Sequence, residues 1–493
     1  MPTTRGPRIS KVIVGIGVVF ASWTLLGFWL DRPELHLASQ AEVDAVLPKE
    51  LLVEPPVDRA AQRRYDALVD VAKGLNSGEV FALISPQGHS PHVHRAKYPT
   101  YTAAQKIKVG AKFMKSYAAL YSRAAELIEA GPLQRDRSWM AKATQHDFVM
   151  RSREYKSTLA LTDLVRGAAQ CSVDLAQAGK FRGSRKWILF ALKAVDRIND
   201  ANNDVQDYLN AVLLDGIAVG NLEEIIKSPG IPVDELRTIL NAVHPASKQK
   251  LDLANAFRIE FQERMRHQLT GQPINSLMVA AELPSHVVDT TGNVVQEIVL
   301  EPLAGTYDAT ETAKMCGDRF KSLIANALRP LAQFDKSSDD FVEQQRKDLP
   351  TWDYTEKDAV AEHPNEWRDY CHRMNTGVNT IGRRMVSHTG PGLSSNLAHV
   401  SCLYRASRDA MRVLLASRIY RRAHQGALPS TVAGFLPILG DWPQNPYDGK
   451  PMTYLPHEQK LVAKNAGSNF TAKGKVEPTD YELSLKLELT ARH

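Results

Sequence analysis

Residues 12–30, VIVGIGVVFASWTLLGFWL, carry no charged side chain. As a helix rising about 1.5 Å per residue they would reach about 28 Å, close to the thickness of a bilayer's hydrocarbon core. A helix in a water-soluble protein normally turns one polar face to solvent, and this stretch has none. It predicts a transmembrane helix, with Trp23 and Trp29 toward the outer interface that indole rings favour. Arg5, Arg8 and Lys11 precede the span, whereas Asp31, Arg32 and Glu34 nearly cancel after it. The positive-inside rule then leaves residues 1–11 as a cytoplasmic tail and puts the bulk of a single-pass chain across the membrane. A cleaved signal peptide ending near Val19 to Ala21 is the competing reading, but uncharged residues continue well past that site.

Beyond the span, prolines 33, 48, 55 and 56 predict an extended spacer over residues 31–58. The remainder has the balance of a globular protein, 43% hydrophobic and 24% charged. Three of the 61 basic residues precede the first acidic one and 55 acidic residues follow, so this part is near neutral. It holds no dense Lys/Arg run interleaved with aromatics, which argues against a nucleic-acid partner.

The prevailing period is that of helices, and residues 59–394 read as a helical domain. Helices are expected from Arg59 to Leu75, from Ala103 to Ala130, and from Ser152 to Ala178 with Gly179 closing the last; residues 76–100 read as a loop. Ile188, Ala191, Leu192, Val195 and Ile198 form one apolar stripe, and Val205, Tyr208, Leu209, Val212, Leu213 and Ile217 form the next. Pro229-Gly230-Ile231-Pro232 is a stop, after which Leu236, Ile239, Leu240 and Val243 resume the spacing. Phe257, Phe261, Met265 and Leu269 repeat every four residues. Such stripes bury one another, and with no recurring repeat signature they predict a mainly α fold built as an irregular multi-helix bundle. Around Thr-Thr-Gly-Asn the β-branched runs HVVD and NVVQEIVL predict a β-hairpin over residues 286–300, and Thr310 to Ala327 returns to helix. Residues 395–493 then read as a long helix, Ser395 to His424, leading into a small antiparallel sheet of Met452 to Leu455, Leu461 to Lys464 and Tyr481 to Leu487.

That ending, a long helix, a proline-marked loop and a small sheet, resembles the C-terminal part of the major pseudopilins of type II secretion systems. The residues that carry the likeness are Leu428-Pro429, Asn445-Pro446-Tyr447, Gly449-Lys450-Pro451, Tyr454 and Ala466-Gly467. The chain departs from that pattern in two ways. Hundreds of residues separate the N-terminal span from the module, and no prepilin-type cleavage motif precedes the span. Where pseudopilins hold calcium with acidic side chains, this chain has Asn445 and the carboxylate-free Gly467-Ser468-Asn469, a poor set for a hard cation. A second resemblance, over Leu159 to Gln268 and Ala406 to Gly467, is to large bacterial proteins common in planctomycetes that look like a membrane anchor, a helical middle and this same ending. It implies a protein of the bacterial inner membrane whose main domain is periplasmic, and it implies no activity.

Few residues offer chemistry. His89, His92 and His94 in GHSPHVHR are the densest set of metal-ligand types and would suit one zinc or copper ion, although loop histidines without a carboxylate or cysteine beside them are commonly just exposed. His363, Glu366 and His372 lack the HExxH spacing and read better as a helix start with Glu366 near its positive end. Glu260 and Glu263 beside Arg264 could serve as acid and base, but ion pairs with Arg258 and Arg266 explain them more simply. The four cysteines show no CxxC spacing; Cys371 with Cys402 is the expected pair if any forms. No GxSxG elbow, Walker loop or GxGxxG turn occurs. The expectation is an interaction or scaffold protein of the envelope that binds an envelope or secretion-associated protein, with no cofactor. The rival is a periplasmic metal-dependent enzyme built on the histidine cluster.

Overall fold

A computed structural model of the chain describes residues 35–53, 57–84, 103–135, 148–199, 204–248, 252–269, 306–335, 340, 344, 347, 349, 363–388, 394–463, 468–470, 476–478 and 483–486. The span at 12–30, the histidine cluster and the hairpin expected at 286–300 lie outside these residues. Among the described residues no helix is long and apolar enough to cross a membrane.

The described chain is mainly helical. In order it contains β1 (Leu35–His36), α1 (Gln40–Val46), α2 (Arg59–Ala72), α3 (Ser77–Ile84), α4 (Ala103–Ser116), α5 (Ala118–Glu129), α6 (Phe148–Gln177), α7 (Phe181–Asn199), α8 (Val205–Lys227), α9 (Val233–Ala242) and α10 (Leu253–Glu260). A π-helix over Phe261–Met265 and a last turn at Arg266–Leu269 prolong α10. There follow β2 (Tyr307–Asp308), α11 (Ala309–Ala327), α12 (Pro364–Thr376), α13 (Thr380–His388), α14 (Ser394–Ala423), a short α15 (Leu436–Leu439), β3 (Thr453–Leu455), β4 (Lys460–Ala463), β5 (Ser468–Phe470), β6 (Val476–Pro478) and β7 (Leu483–Lys486).

The chain divides into two compact units, and one of the points where the chain passes between them, 392/393, lies next to the boundary expected at 394/395. One unit takes residues 1–52, 265–319 and 340–392, the other 53–264, 320–339 and 393–493. The long helix and sheet thus share a unit with most of the bundle.

In the smaller unit, β1 pairs in parallel with β2 through Leu35 with Tyr307 and His36 with Asp308. Asp308 begins α11 by accepting from the Glu311 N–H at 2.9 Å and the Thr310 hydroxyl at 2.8 Å. Asn379, in the left-handed region at φ 48, accepts from the Asp308 N–H and bonds Thr312, tying the start of α13 to β2. The expected extended spacer is partly helical here. Its prolines flank a capping box in which Ser39 and Glu42 satisfy each other's backbone N–H, and that starts α1. Val43, Leu47 and Leu51 are then buried, and Asp44 accepts two hydrogen bonds from Arg266, at 3.0 and 2.7 Å.

In the larger unit α6 is the centre, packing against α2, α3, α4, α7 and α8. Leu164, Val165, Ala168 and Ala169 are fully buried along it. A Schellman motif ends α6 as expected: Gly179 is left-handed at φ 71, its N–H reaches the Ala176 carbonyl and the Lys180 N–H reaches that of Leu175. The stripe of α7 and the stop at 229–232 also stand, with Ile188, Ala191, Leu192, Val195 and Ile198 all buried. Two boundaries differ from expectation. The single helix expected over 103–130 breaks at Tyr117 (φ −106, ψ 14), whose hydroxyl accepts from the Asn76 N–H. The expected loop at 76–100 opens with α3, because the Asn76 carboxamide accepts from the Gly78 N–H at 2.9 Å and so nucleates a helix.

The C-terminal strands form a three-stranded antiparallel sheet in the order β3-β4-β7, close to the expected ranges, and β5 pairs with β6. Phe435 meets Tyr454 of β3 edge to face and lies tilted against Trp442 and against Tyr420 of α14, and the Tyr454 hydroxyl donates to the Pro429 carbonyl at 2.7 Å. The loop at Asn445 closes on itself: its N–H donates to the Lys450 carbonyl, its carbonyl accepts from the Gly449 N–H, and its side chain accepts from the Tyr447 N–H.

At Gly167 the bundle helices approach too closely for a side chain. An added methyl carbon would sit 2.4 Å from the Tyr121 hydroxyl, which itself donates to the Leu164 carbonyl, and 3.1 Å from the Phe113 ring. Gly167→Ala should therefore destabilise the larger unit by about 1–3 kcal/mol despite the higher helix propensity of alanine. Denaturant unfolding of the variant checks this; an unchanged or raised midpoint would show that α5 is not held where described.

Candidate functional site

The strongest polar constellation in the larger unit lies inside it. Arg408, on α14, has no solvent exposure at all. Its guanidinium donates to Asp215 of α8, to Asp196 of α7 at 3.2 Å, and through Nε to the His244 carbonyl beyond α9 at 2.9 Å. One planar fork thereby joins α14 to three earlier parts of the bundle, a geometry that arginine supplies and lysine does not. The neighbouring Asp409 accepts from the Ala246 N–H at 3.0 Å, fastening the same segment a second time.

Burial decides the acidity of this centre. Loss of water pushes the Asp215 carboxyl up to about 6, against the pull of Arg408 and with a further push from Asp196. Two carboxylates share one guanidinium, so the pair carries a surplus negative charge when both are ionised. Burial likewise raises Asp409. The Tyr404 hydroxyl, shielded and with no hydrogen-bond partner, is raised by burial and by Asp215. The groups are arranged to bind one another.

A second feature lies on the surface. Helix α8 buries Tyr208, Leu214, Ala218, Leu222 and Ile225, yet exposes Leu213 to 52%. Gly216 and Gly220 lie on the exposed side, and a methyl added to either would meet nothing within 4 Å among the described residues. Each glycine in a helix interior costs about 1 kcal/mol relative to alanine, and here internal packing does not require it.

The residues singled out in the sequence do not converge. His363 immediately precedes α12, with its Nδ1 3.9 Å from the Glu366 carboxylate one turn on, and His372 is exposed further along. Glu260 is buried rather than on a solvated face, and Arg266 pairs with Asp44. The side chains of Glu263 and Arg264 lie outside the description. The expected Cys371–Cys402 bridge is corrected: Cys402 is a free, buried thiol whose sulfur lies 3.4 Å from the Pro446 carbonyl. Burial raises it to about 11 and the likewise free Cys316 to about 12, so neither is a ready nucleophile. Among the described residues no group of three His, Cys, Asp or Glu side chains is placed to hold a metal.

The chain matches no family model, no curated protein and no solved structure.

The Arg408 centre was missed from sequence, although a signal existed. Asp215 is a lone acid within the apolar run Ala211 to Val219, and such a residue needs a buried cation.

Removing one partner strands the other charge, so Arg408→Met should destabilise the unit by about 3–5 kcal/mol, whereas Arg408→Met with Asp215→Leu should lose clearly less. The pH dependence has a definite sign. The folded state holds the Asp215 proton up to about 6 and the unfolded chain only to about 3.8. This group's contribution is greatest below the lower value, falls as pH rises between the two, and is level above. Chemical denaturation of wild type and Asp215→Asn across that range should show the wild type's advantage shrinking as pH rises; an advantage that grows instead would overturn the assignment.

Proposed function

We propose that the chain is an interaction protein of the bacterial envelope, tethered to the inner membrane by residues 12–30 and presenting a helical surface and its C-terminal module to an envelope or secretion-associated protein. The uncharged span and its basic N-terminal flank support the tether. The residues shared with major pseudopilins support the choice of partner class. The observation that carries the reading is the outer face of α8. Leu213 is exposed, and Gly216 and Gly220 relinquish helix stability that the chain's own packing does not ask for. A partner whose backbone comes close to the α8 axis would use that space, with Leu213 as its apolar anchor.

Two measurements test this. Gly216→Ala with Gly220→Ala should raise the stability of the isolated protein by about 0.5–1 kcal/mol for each glycine, while a photo-crosslinker at Leu213 in intact membranes should lose the discrete protein adduct formed by the unsubstituted chain. Absence of any protein adduct at Leu213, or an adduct indifferent to both substitutions, would overturn the interaction face. For the tether, the chain should stay with membranes through an alkaline carbonate wash and place a C-terminal reporter outside the cytoplasm; release by the wash would remove the membrane part of the proposal.

A further inference from the structure

Helix α14 ends in a run of arginines that the Arg408 centre does not use. Arg418, Arg421 and Arg422 stand at i, i+3 and i+4, a spacing that gathers side chains on one face. Among the described residues none of the three forms an ion pair, and the one hydrogen bond made by their side chains there runs from Arg421 to the Gln459 carboxamide in the β3–β4 turn. The Nε atoms of Arg418 and Arg421 are shielded from solvent and meet no acceptor. Burial, then the charges of Arg422 and Arg421, hold the Arg418 guanidinium below its ordinary value.

Basic residues in a last turn favour the helix dipole, but among the described residues these three make no direct hydrogen bond to the carbonyls of the helix end. The terminal carbonyls are already occupied: Tyr420 accepts from the His424 N–H and Arg421 from the Gly426 N–H, while His424 accepts from Ala427. The surroundings are also strained. Of the three non-glycine residues at positive φ among those described, two border this cluster: Gln425 at φ 52, just past the helix, and Gln459 at φ 51, the residue Arg421 holds. Backbone in that region costs of order 1–3 kcal/mol per residue and is retained where it positions something.

We infer that Arg418, Arg421 and Arg422 form a binding site for a phosphate group. A carboxylate would neutralise one of three adjacent guanidiniums, whereas a phosphate brings about −1.5 to −2 charge and three acceptor oxygens that match several N–H forks at once. Free phosphate and a phospholipid headgroup present the same chemistry.

The test uses the full-length protein in detergent, titrated calorimetrically with inorganic phosphate and, separately, with a short-chain phosphatidic acid. Binding should appear in at least one arm, and which arm responds identifies the source. Arg418→Gln with Arg422→Gln should weaken it at least tenfold. Arg418→Lys with Arg422→Lys, which keeps the charge and loses the fork, should also weaken it and guards against a misfolded glutamine variant. Lys112→Gln with Lys115→Gln, an equal charge change on exposed positions of α4, should leave it unaltered. No heat in either arm, or equal weakening by the lysine-to-glutamine control, overturns the proposal.

Discussion

A guanidinium without access to water is expensive to place, and Arg408 is tolerable inside this bundle because two carboxylates and a carbonyl surround it. Its partners come from α7, α8 and the segment after α9, so the full set of bonds is complete only when all three are in position. Once formed, it fixes the middle of α14. The C-terminal half of that helix carries the aromatic cluster of Phe435, Trp442 and Tyr454, and through it the three-stranded sheet. The sheet is small and its strands are three or four residues long, too little to be stable alone. Bundle and sheet therefore share one unit for a physical reason: the helix that supports the sheet is itself secured by charge from within the bundle.

How far the sequence disclosed this depends on the range of the interactions involved. The stripe of α7, the Gly179 cap and the stop at 229–232 were legible, since periodicity and terminators act within a few residues. So were β3 and β4, whose alternation is local. The helix of residues 40–46 was obscured by flanking prolines, although Ser39 and Glu42 stood at capping-box spacing. The pairing of Arg266 with Asp44 spans 222 residues, and that of Arg408 with Asp215 spans 193. No local pattern encodes such distances. The lone acid in an apolar run at Asp215 announced that a buried cation was needed without saying which, and the exposed glycines of α8 could not be told from core glycines by composition. The histidine cluster, read from sequence as the densest metal-ligand set, lies outside the described residues and supports neither side.

Glycines in this protein separate into those its own packing demands and those it does not. At Gly167 a side chain would collide with Tyr121 and Phe113, so folding alone accounts for the residue. At Gly216 and Gly220 nothing is near, and folding alone would favour alanine. Selection for stability cannot explain a residue that lowers stability and relieves no clash. The proposed partner face of α8 rests on these two residues.

The arginines of α14 divide in the same way, which is why the helix is informative. Arg408 has every direction of its fork answered from within the bundle. Ten residues on, Arg418 faces two like charges, and its Nε meets no acceptor. One helix, folded once, thus holds a cation whose electrostatic cost is settled inside the protein and a set of cations whose cost is not. Repulsion among Arg418, Arg421 and Arg422 would be lowered by an anion from outside the described chain, and three cations at one helix end match a ligand whose charge exceeds a single carboxylate. The same criterion, a local cost with no internal return among the described residues, underlies both the proposed partner face of α8 and the proposed phosphate site at the end of α14.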